Sequence, residues 1–315
     1  MPISDPSAPP WSPRQAVWTD AVRVTELEVA LAPARPWRAP VDLARLQRSV
    51  LGRAVFELAC ARDHQRCDGC DRADACEIPT WYDPGRGGDH AIRPLVPAPL
   101  GQGGGWVGPE RPLHLRWWLL GHAPWPSLLV NGLLRLARTG LGAERVPHRV
   151  VTAIARGGAG PAPVIVEDRP AAPWPEPGGL SGFAPHPGPV RSALVQVLSP
   201  LRWKGAHPGR APTVGQALWA MIDHARKVVR AQGLPQPPPW PDPRPLSQPW
   251  GEARWVARDR SASGGGQQDL SGWVGGFSLG PEVRGWSDVL AAAEILGAGA
   301  STSAGCGRIS VAWRR

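Results

Sequence analysis

Lysine, tyrosine and phenylalanine are almost missing from this chain. Lys204 and Lys227 are its only lysines, Tyr82 is its only tyrosine, and three phenylalanines stand against 17 tryptophans. Without lysine, positive charge is presented as the planar arginine fork, which pairs bidentately with phosphate and stacks on bases. No apolar run approaches the ~18 residues that a membrane span needs. Residues 1–20 are polar and proline-rich and lack the basic-then-apolar order of a signal peptide. They are expected to form a flexible leader, and the protein is expected to be cytosolic. In that compartment the five cysteines are not expected to pair as disulfides.

What is abundant points toward an anionic partner. All but two of the 35 cationic side chains are arginine, and the net charge is +9. Tryptophan supplies broad stacking surfaces. The same residue types have GC-rich codons, so composition alone leaves a nucleic-acid role and a genomic bias both open. At 315 residues and 42% hydrophobic content, the chain has room for two domains with real cores.

Periodicity divides the sequence in two. Residues 21–31 alternate polar and apolar positions and read as a strand. Residues 41–60 read as a helix, with Leu43, Leu46, Val50, Ala54 and Leu58 on one face and Arg45, Arg48 and Arg53 on the other. Strands are expected at 92–96 and 113–120, a helix at 125–138 stopped by Gly140 and Gly142, and a strand at 148–155. Residues 157–189 are rich in glycine and proline and read as a linker. The pattern then repeats. A strand at 192–198 precedes a helix at 213–231 that opens with a Thr213-x-x-Gln216 capping box and ends at Gly233. After a proline-rich insertion at 234–249 come strands at 254–261 and 270–279, a helix at 287–296 and a last strand at 308–313. Two βαββαβ units predict an α+β fold of two tandem ferredoxin-like domains, at 21–156 and 190–315, with a cysteine-rich insertion at 60–90 in the first.

Two clusters carry chemistry. Residues 297–308 place the pairs Gly297/Gly299 and Gly305/Gly307 around Ser301 and Ser303 and end on Arg308. Glycine lets backbone approach a ligand closely, and the hydroxyls add donors, so this loop suggests a cradle for a sugar–phosphate backbone. The competing reading is a tight turn that only packs the last helix on the sheet. Cys60, Cys67, Cys70 and Cys76 offer four thiolates around one Cys-x-x-Cys pair. Their number suits a structural zinc or an iron–sulfur cluster, or they are plain reduced thiols.

Four segments together resemble a known family. They are residues 51–60 running into Cys67, Cys70 and Cys76; residues 120–123 through 141–145; residues 198–204; and residues 269–275 leading into the terminal glycine loop. In order and spacing they are similar to the CRISPR precursor-RNA-processing endoribonucleases of the RAMP superfamily, across most of residues 21–313. The resemblance implies two ferredoxin-like domains and binding of a CRISPR repeat hairpin. It also implies cleavage without a catalytic cofactor, by attack of a ribose 2′-OH on the adjacent phosphate. Other Cas subunits of an effector complex are implied as partners, with no membrane. A non-catalytic RAMP subunit that holds guide RNA is the rival reading.

Members of this family often use a histidine near the first helix, and here the sequence departs. The first histidine is His64, inside the cysteine cluster, and Tyr82 lies just past it. The expected site offers Arg23, Arg35 and Arg38 instead. Arg23 and Arg38 are expected to hold the scissile phosphate, with His122 the second choice for a catalytic group. An arginine stays protonated and so acts by charge and alignment rather than as a base. The resemblance further implies RNA contacts from Arg45 and Arg48, from Arg202, Lys204, Arg258 and Arg260, and from the loop residues Gly297, Gly299, Ser301, Ser303, Gly305, Gly307 and Arg308.

Overall fold

A computed structural model of the protein describes residues 18–60, 70, 76, 78, 92–98, 103–122, 126–184, 187–237, 239–261 and 267–315. The first unit runs β1 (Arg23–Pro33), β2 (Trp37–Arg38), α1 (Leu43–Ala59), β3 (Leu95–Pro97), β4 (Trp106–Val107), β5 (Leu113–Leu120), α2 (Pro126–Thr139) and β6 (His148–Gly157). Its main strands lie in the order β3-β5-β1-β6, all antiparallel. That is the spatial order of a βαββαβ unit, with β1 at the centre.

Residues 157–189, expected as a linker, instead extend this sheet. β7 (Gly160–Val166) folds back on β6, β8 (Arg169–Pro170) pairs with β7, and β9 (Gly178–Gly179) returns to Arg23 and Val24 of β1. The turn between β6 and β7 is closed at Gly157↔Gly160, with Gly160 at φ 102. The prolines of β7 and β8 are tolerated at a sheet margin, where not every amide must join the ladder.

β1, whose polar and apolar positions alternate in the sequence, is covered on both faces. Leu27, Val29 and Leu31 pack with Leu51, Val55, Leu129 and Leu133 of the two helices. Val22 and Val24 lie on the other side in a second core, with Trp118 and residues of the second unit. A central strand buried on two sides loses the clean alternation of a solvated one.

The second unit runs β10 (Ser192–Leu201), α3 (Val214–Ala231), β11 (Glu252–Val256), β12 (Asp259–Ser261), β13 (Gln267–Asp269), β14 (Gly272–Leu279), α4 (Ser287–Leu296) and β15 (Ile309–Arg314). Its sheet order, β11-β14-β10-β15, repeats that of the first unit. The capping box forms as the sequence predicts. Gln216 N donates to Thr213 Oγ1 at 3.3 Å, and Thr213 N donates to Gln216 Oε1 at 2.9 Å. The protein is thus α+β, built of two ferredoxin-like units.

The two units share an apolar core, and the chain start is tied into it. Trp18 lies within the expected leader, yet it is buried and donates its indole N–H to Asp288 Oδ2 at 2.9 Å. Trp240, from the proline-rich insertion, donates to both oxygens of the same carboxylate at 3.1 and 3.0 Å. Burial pushes the Asp288 carboxyl up, and the two indoles partly offset that.

Of the cysteine cluster, Cys67 lies outside the described residues, and Cys60, Cys70 and Cys76 are half-buried. Among the described residues no group of three or more metal-ligating side chains converges. No described helix is long and apolar enough to cross a membrane.

Candidate nucleic-acid interface

Charge gathers where α1 meets the terminal loop. Asp42 caps α1, its Oδ1 accepting from Arg45 N at 3.1 Å. Its other oxygen pairs with Arg258, which the second unit supplies just before β12. Arg48, on the next turn of α1, donates from Nη1 to Ser303 Oγ at 2.6 Å. Nearby in the second unit, Arg202 pairs with Asp269 at 2.5 Å, and Ser271 donates to the same carboxylate. These hydrogen bonds, from Ser271 first and then Arg202, hold the Asp269 carboxyl below its ordinary value. Arg308 is half-buried, and burial followed by the neighbouring Arg116 charge lowers its pKa. Arg116 is itself paired with Glu26 at 2.9 Å and Glu28 at 2.6 Å, so the protein supplies anions beside it.

The glycines of the loop serve packing rather than binding. At Gly299 a Cβ would collide with the Arg202 carbonyl, and at Gly305, where φ is 80°, it would collide with Ala44 of α1. The amides are also spent inside the protein. Gly297 N donates to Ala293 O, Gly299 N to Ala220 O, Gly305 N to Thr302 O and Gly307 N to Pro200 O. The expectation that Gly297, Gly299, Gly305 and Gly307 offer their amides to a phosphate is therefore corrected. What remains is the middle of the loop. Ser301 is left-handed, at φ 61 and ψ 29, and a 3-10 turn follows over Thr302–Ala304. A left-handed residue followed by right-handed ones turns successive amides to one side, the geometry of an anion-binding nest. Those amides belong to Ser301, Thr302 and Ser303, beside the Arg48 guanidinium.

The catalytic trio read from sequence does not assemble. Arg23 opens β1, where its backbone N–H donates to Gln232 Oε1 and its carbonyl accepts from Gly121 N. Arg38 lies in β2, beyond the other end of β1. Its neighbour Trp37 packs edge-on against His148, the partner of Pro33 at that end. An 11-residue strand separates the two ends by roughly 30 Å. Both side chains are exposed, and Arg38 Nε donates to Gly104 O at 3.0 Å. His122 lies with Arg23, exposed, its Nδ1 4.0 Å from Glu176 Oε2. Arg35 is held in an exposed pair with Glu144 at 2.6 Å. So the structure joins Arg23 to His122, and places Arg38 with the start of α1, near Arg45 and Asp42.

The other expected contacts divide. Arg45, Arg48, Arg202, Arg258, Ser301, Ser303 and Arg308 gather about the seam between α1 and the loop. Lys204 is exposed at the turn after β10. Arg260 falls in β12, and its side chain lies outside the described residues. No described histidine lies at the seam. His114 and His207 are exposed, His148 is buried with Nδ1 2.6 Å from Val146 O, and His224 is buried against Leu296 O at 3.1 Å. Burial pushes the His224 imidazole down to about 4. His64 and Tyr82 lie outside the described residues. Sequence reasoning missed Asp42, Asp269 and Arg116; only Asp42, an N-cap residue before an apolar-periodic helix, left a legible signal.

Comparison with known proteins agrees with this architecture. A family model described as AF_1859_N, N-terminal domain, matches residues 22–172. No curated protein sequence matches the chain. Among solved structures, a Thermus thermophilus Cas6 product complex is similar over 92% of this chain and 99% of its own, at 16% identity and a TM-score of 0.50. A partial Cas6-RT-Cas1–Cas2 complex is similar over 93% of this chain and 46% of its own, at 11% identity and a TM-score of 0.54. The duplicated βαββαβ order, the loop closing the second unit and these likenesses place the chain in the tandem ferredoxin-like fold of the Cas6 structures.

Proposed function

We propose that this protein binds the repeat hairpin of a precursor CRISPR RNA and cleaves it without a metal ion. The observation that carries the reading is the seam itself. Arg48, Arg258 and Arg308, drawn from both units, lie about the Ser301–Ser303 turn on a Cas6-like fold, with Arg48 bonded to Ser303 and Arg258 paired with Asp42. The Thermus structure, a Cas6 product complex, supports RNA as the occupant of such a fold.

In the proposed reaction the ribose 2′-oxygen bonds to the adjacent phosphorus and the bond from phosphorus to the 5′-oxygen breaks. One proton leaves the 2′-OH and one reaches the departing 5′-oxygen. The ends are a 2′,3′-cyclic phosphate and a 5′-OH, and no water is consumed. Arginines at the seam stabilise the extra charge on phosphorus, and the bound hairpin aligns the 2′-OH. Arg38, at the α1 end, keeps its assignment to the scissile phosphate. Arg23 and His122 contact RNA elsewhere. Turnover is slow, since among the described residues no histidine stands at the seam to act as a base, and the product hairpin is retained. Retained product would let the protein join other Cas subunits, as the Cas6-RT-Cas1–Cas2 assembly illustrates for its own chains.

The lack of a described histidine at the seam favours a second reading, a non-catalytic RAMP subunit that binds guide RNA in an effector complex. One assay separates them: end-labelled repeat RNA with the purified protein in EDTA, with and without a 2′-deoxy group at the scissile nucleotide. A single cut at the hairpin base, abolished by the deoxy group and slowed by Arg38→Ala but not Arg23→Ala, supports the nuclease. Tight binding with no cut supports the subunit and sinks the cleavage mechanism.

A further inference from the structure

Two exposed aromatic rings among the described residues, Trp106 and Trp219, stand outside everything assigned so far, and Trp106 is the more exposed. β2 and β4 form a two-stranded ribbon in which Trp37 pairs with Val107 and Arg38 with Trp106. Paired residues share a face, so the ribbon has an inner and an outer side. Trp37 is buried and Val107 packs against the core below it. Arg38 and Trp106 therefore point outward together, and the Trp106 side is 65% exposed. Val41, at 82%, is the most exposed large apolar residue described, and it lies against the turn leading into β4: a Cβ on Gly104 would sit 3.3 Å from its Cγ2.

The ribbon is rigid despite its size. Ala39 N donates to Gly105 O, Gly104 N to Ala39 O, and Gly108 and Arg111 exchange two backbone bonds on the far side. Gly103 lies so close to the carbonyls of Pro40 and Val41 that no larger residue fits. Arg38 is anchored by its Nε on Gly104 O, which leaves the outer edge of its guanidinium toward solvent. A large exposed ring on a hydrogen-bonded ribbon, beside an anchored cation, loses little freedom on binding, and it costs hydration while empty.

We propose that Trp106, flanked by Val41 and Arg38, is a stacking platform for an unpaired nucleobase next to the repeat hairpin, with Arg38 on the phosphate beside that base. The inference rests on the RNA-binding reading above and names a subsite it does not contain. Three observations select a nucleotide as occupant. The patch is one ring wide, too small for a stable protein interface. The charged residue opposite the ring on its own face is cationic Arg38, and the nearby Asp42 carboxylate is taken up by Arg258. It adjoins the start of α1, so it continues the seam where Arg48 and Arg258 lie. Any base offers a π-face, so the platform selects single strand rather than sequence.

The test compares the full-length parent, Trp106→Ala and Trp106→Phe on three RNAs: the bare repeat hairpin, the hairpin with an unpaired 5′ extension, and the hairpin with an unpaired 3′ extension. The platform predicts that an extension on one side tightens parent binding about tenfold, that Trp106→Ala removes this gain, and that Trp106→Phe restores most of it. Affinity for the bare hairpin should stay within twofold. A 2-aminopurine in the effective extension should be quenched by the parent and not by Trp106→Ala. Equal losses on all three RNAs, or none, overturn the platform while leaving hairpin binding intact. No binding of any RNA by the parent overturns both readings. Loss of self-association in Trp106→Ala with unchanged RNA affinities would assign the ring to a second copy of the chain and overturn the nucleotide assignment.

Discussion

Alanine at Gly305 should unseat the terminal loop from α1, and the cost follows from two separable causes. The backbone there is left-handed at φ 80°, which costs an alanine about 1–2 kcal/mol. A Cβ at that position would also sit 2.3 Å from Ala44 Cβ, so loop and helix must part by more than 1 Å. Overpacking of that kind costs about 1–3 kcal/mol. Gly305→Ala should therefore lose about 3 kcal/mol of stability in denaturant titration. The parting would also lengthen the Arg48–Ser303 hydrogen bond, now 2.6 Å, beyond hydrogen-bonding range, and so weaken RNA binding. The opposing methyl can be removed independently. Ala44→Gly alone should cost about 1 kcal/mol, the ordinary penalty for glycine within a helix. In the double variant the next nearest atom is Ala44 Cα at 3.5 Å, an ordinary contact. Only backbone strain and helix propensity then remain, about 2 kcal/mol together, against about 4 if the two changes were independent. Hairpin affinity should recover along with stability in the double variant. Simple additivity in the denaturant series would refute the claim that the loop is seated on Ala44.

Three further outcomes follow from the seam, the buried histidine and the cysteines. Arg48→Ala should weaken binding of all repeat RNAs alike and lower the slope of log affinity against log salt by about one, read by titration at several salt concentrations. An unchanged slope would remove Arg48 from the phosphate contacts. His224 is neutral in the folded chain, with its pKa pushed from 6.5 to about 4, chiefly by burial. The unfolded chain then binds the extra proton first, so stability should fall as pH drops from about 6.5 to about 4. His224→Gln should flatten that part of the denaturation profile, whereas an equally steep profile in the variant would assign the effect to other groups. Elemental analysis of protein purified under reducing conditions decides between the readings of the four cysteines: one zinc, or two or four irons, lost in Cys67→Ser with Cys70→Ser, would mark a metal site, and a metal-free parent would leave them as plain thiols.

Much of the fold was legible because local and global signals agree. The strand at 113–120 and the helix at 287–296 fall where periodicity places them, and the Thr213–Gln216 box marks a real helix start. Residues 157–189 misled because their glycines and prolines, usual in linkers, also suit short edge strands and a tight β6–β7 turn. The site was only half legible. Arginines 45 and 48 could be put on one face of a helix, but Ser303, which accepts from Arg48, and Arg258, which pairs with the helix cap Asp42, reach that face only through the packing of one unit on the other. Arg23 and Arg38 looked adjacent because 15 positions is a short distance in sequence. An extended strand between them makes it one of the longer distances in the unit.

The carboxylate of Asp288, gripping one indole from the chain start and another from the proline-rich insertion, acts on the molecule as a strap acts on a folded case. It holds closed a shape that two hinged halves would otherwise explore. Entropy that a jointed protein would surrender on meeting its ligand has here been surrendered during folding. A mould that is already set grips a matching shape quickly and lets it go slowly. For the proposed reaction, in which the product is kept, slow release is an asset.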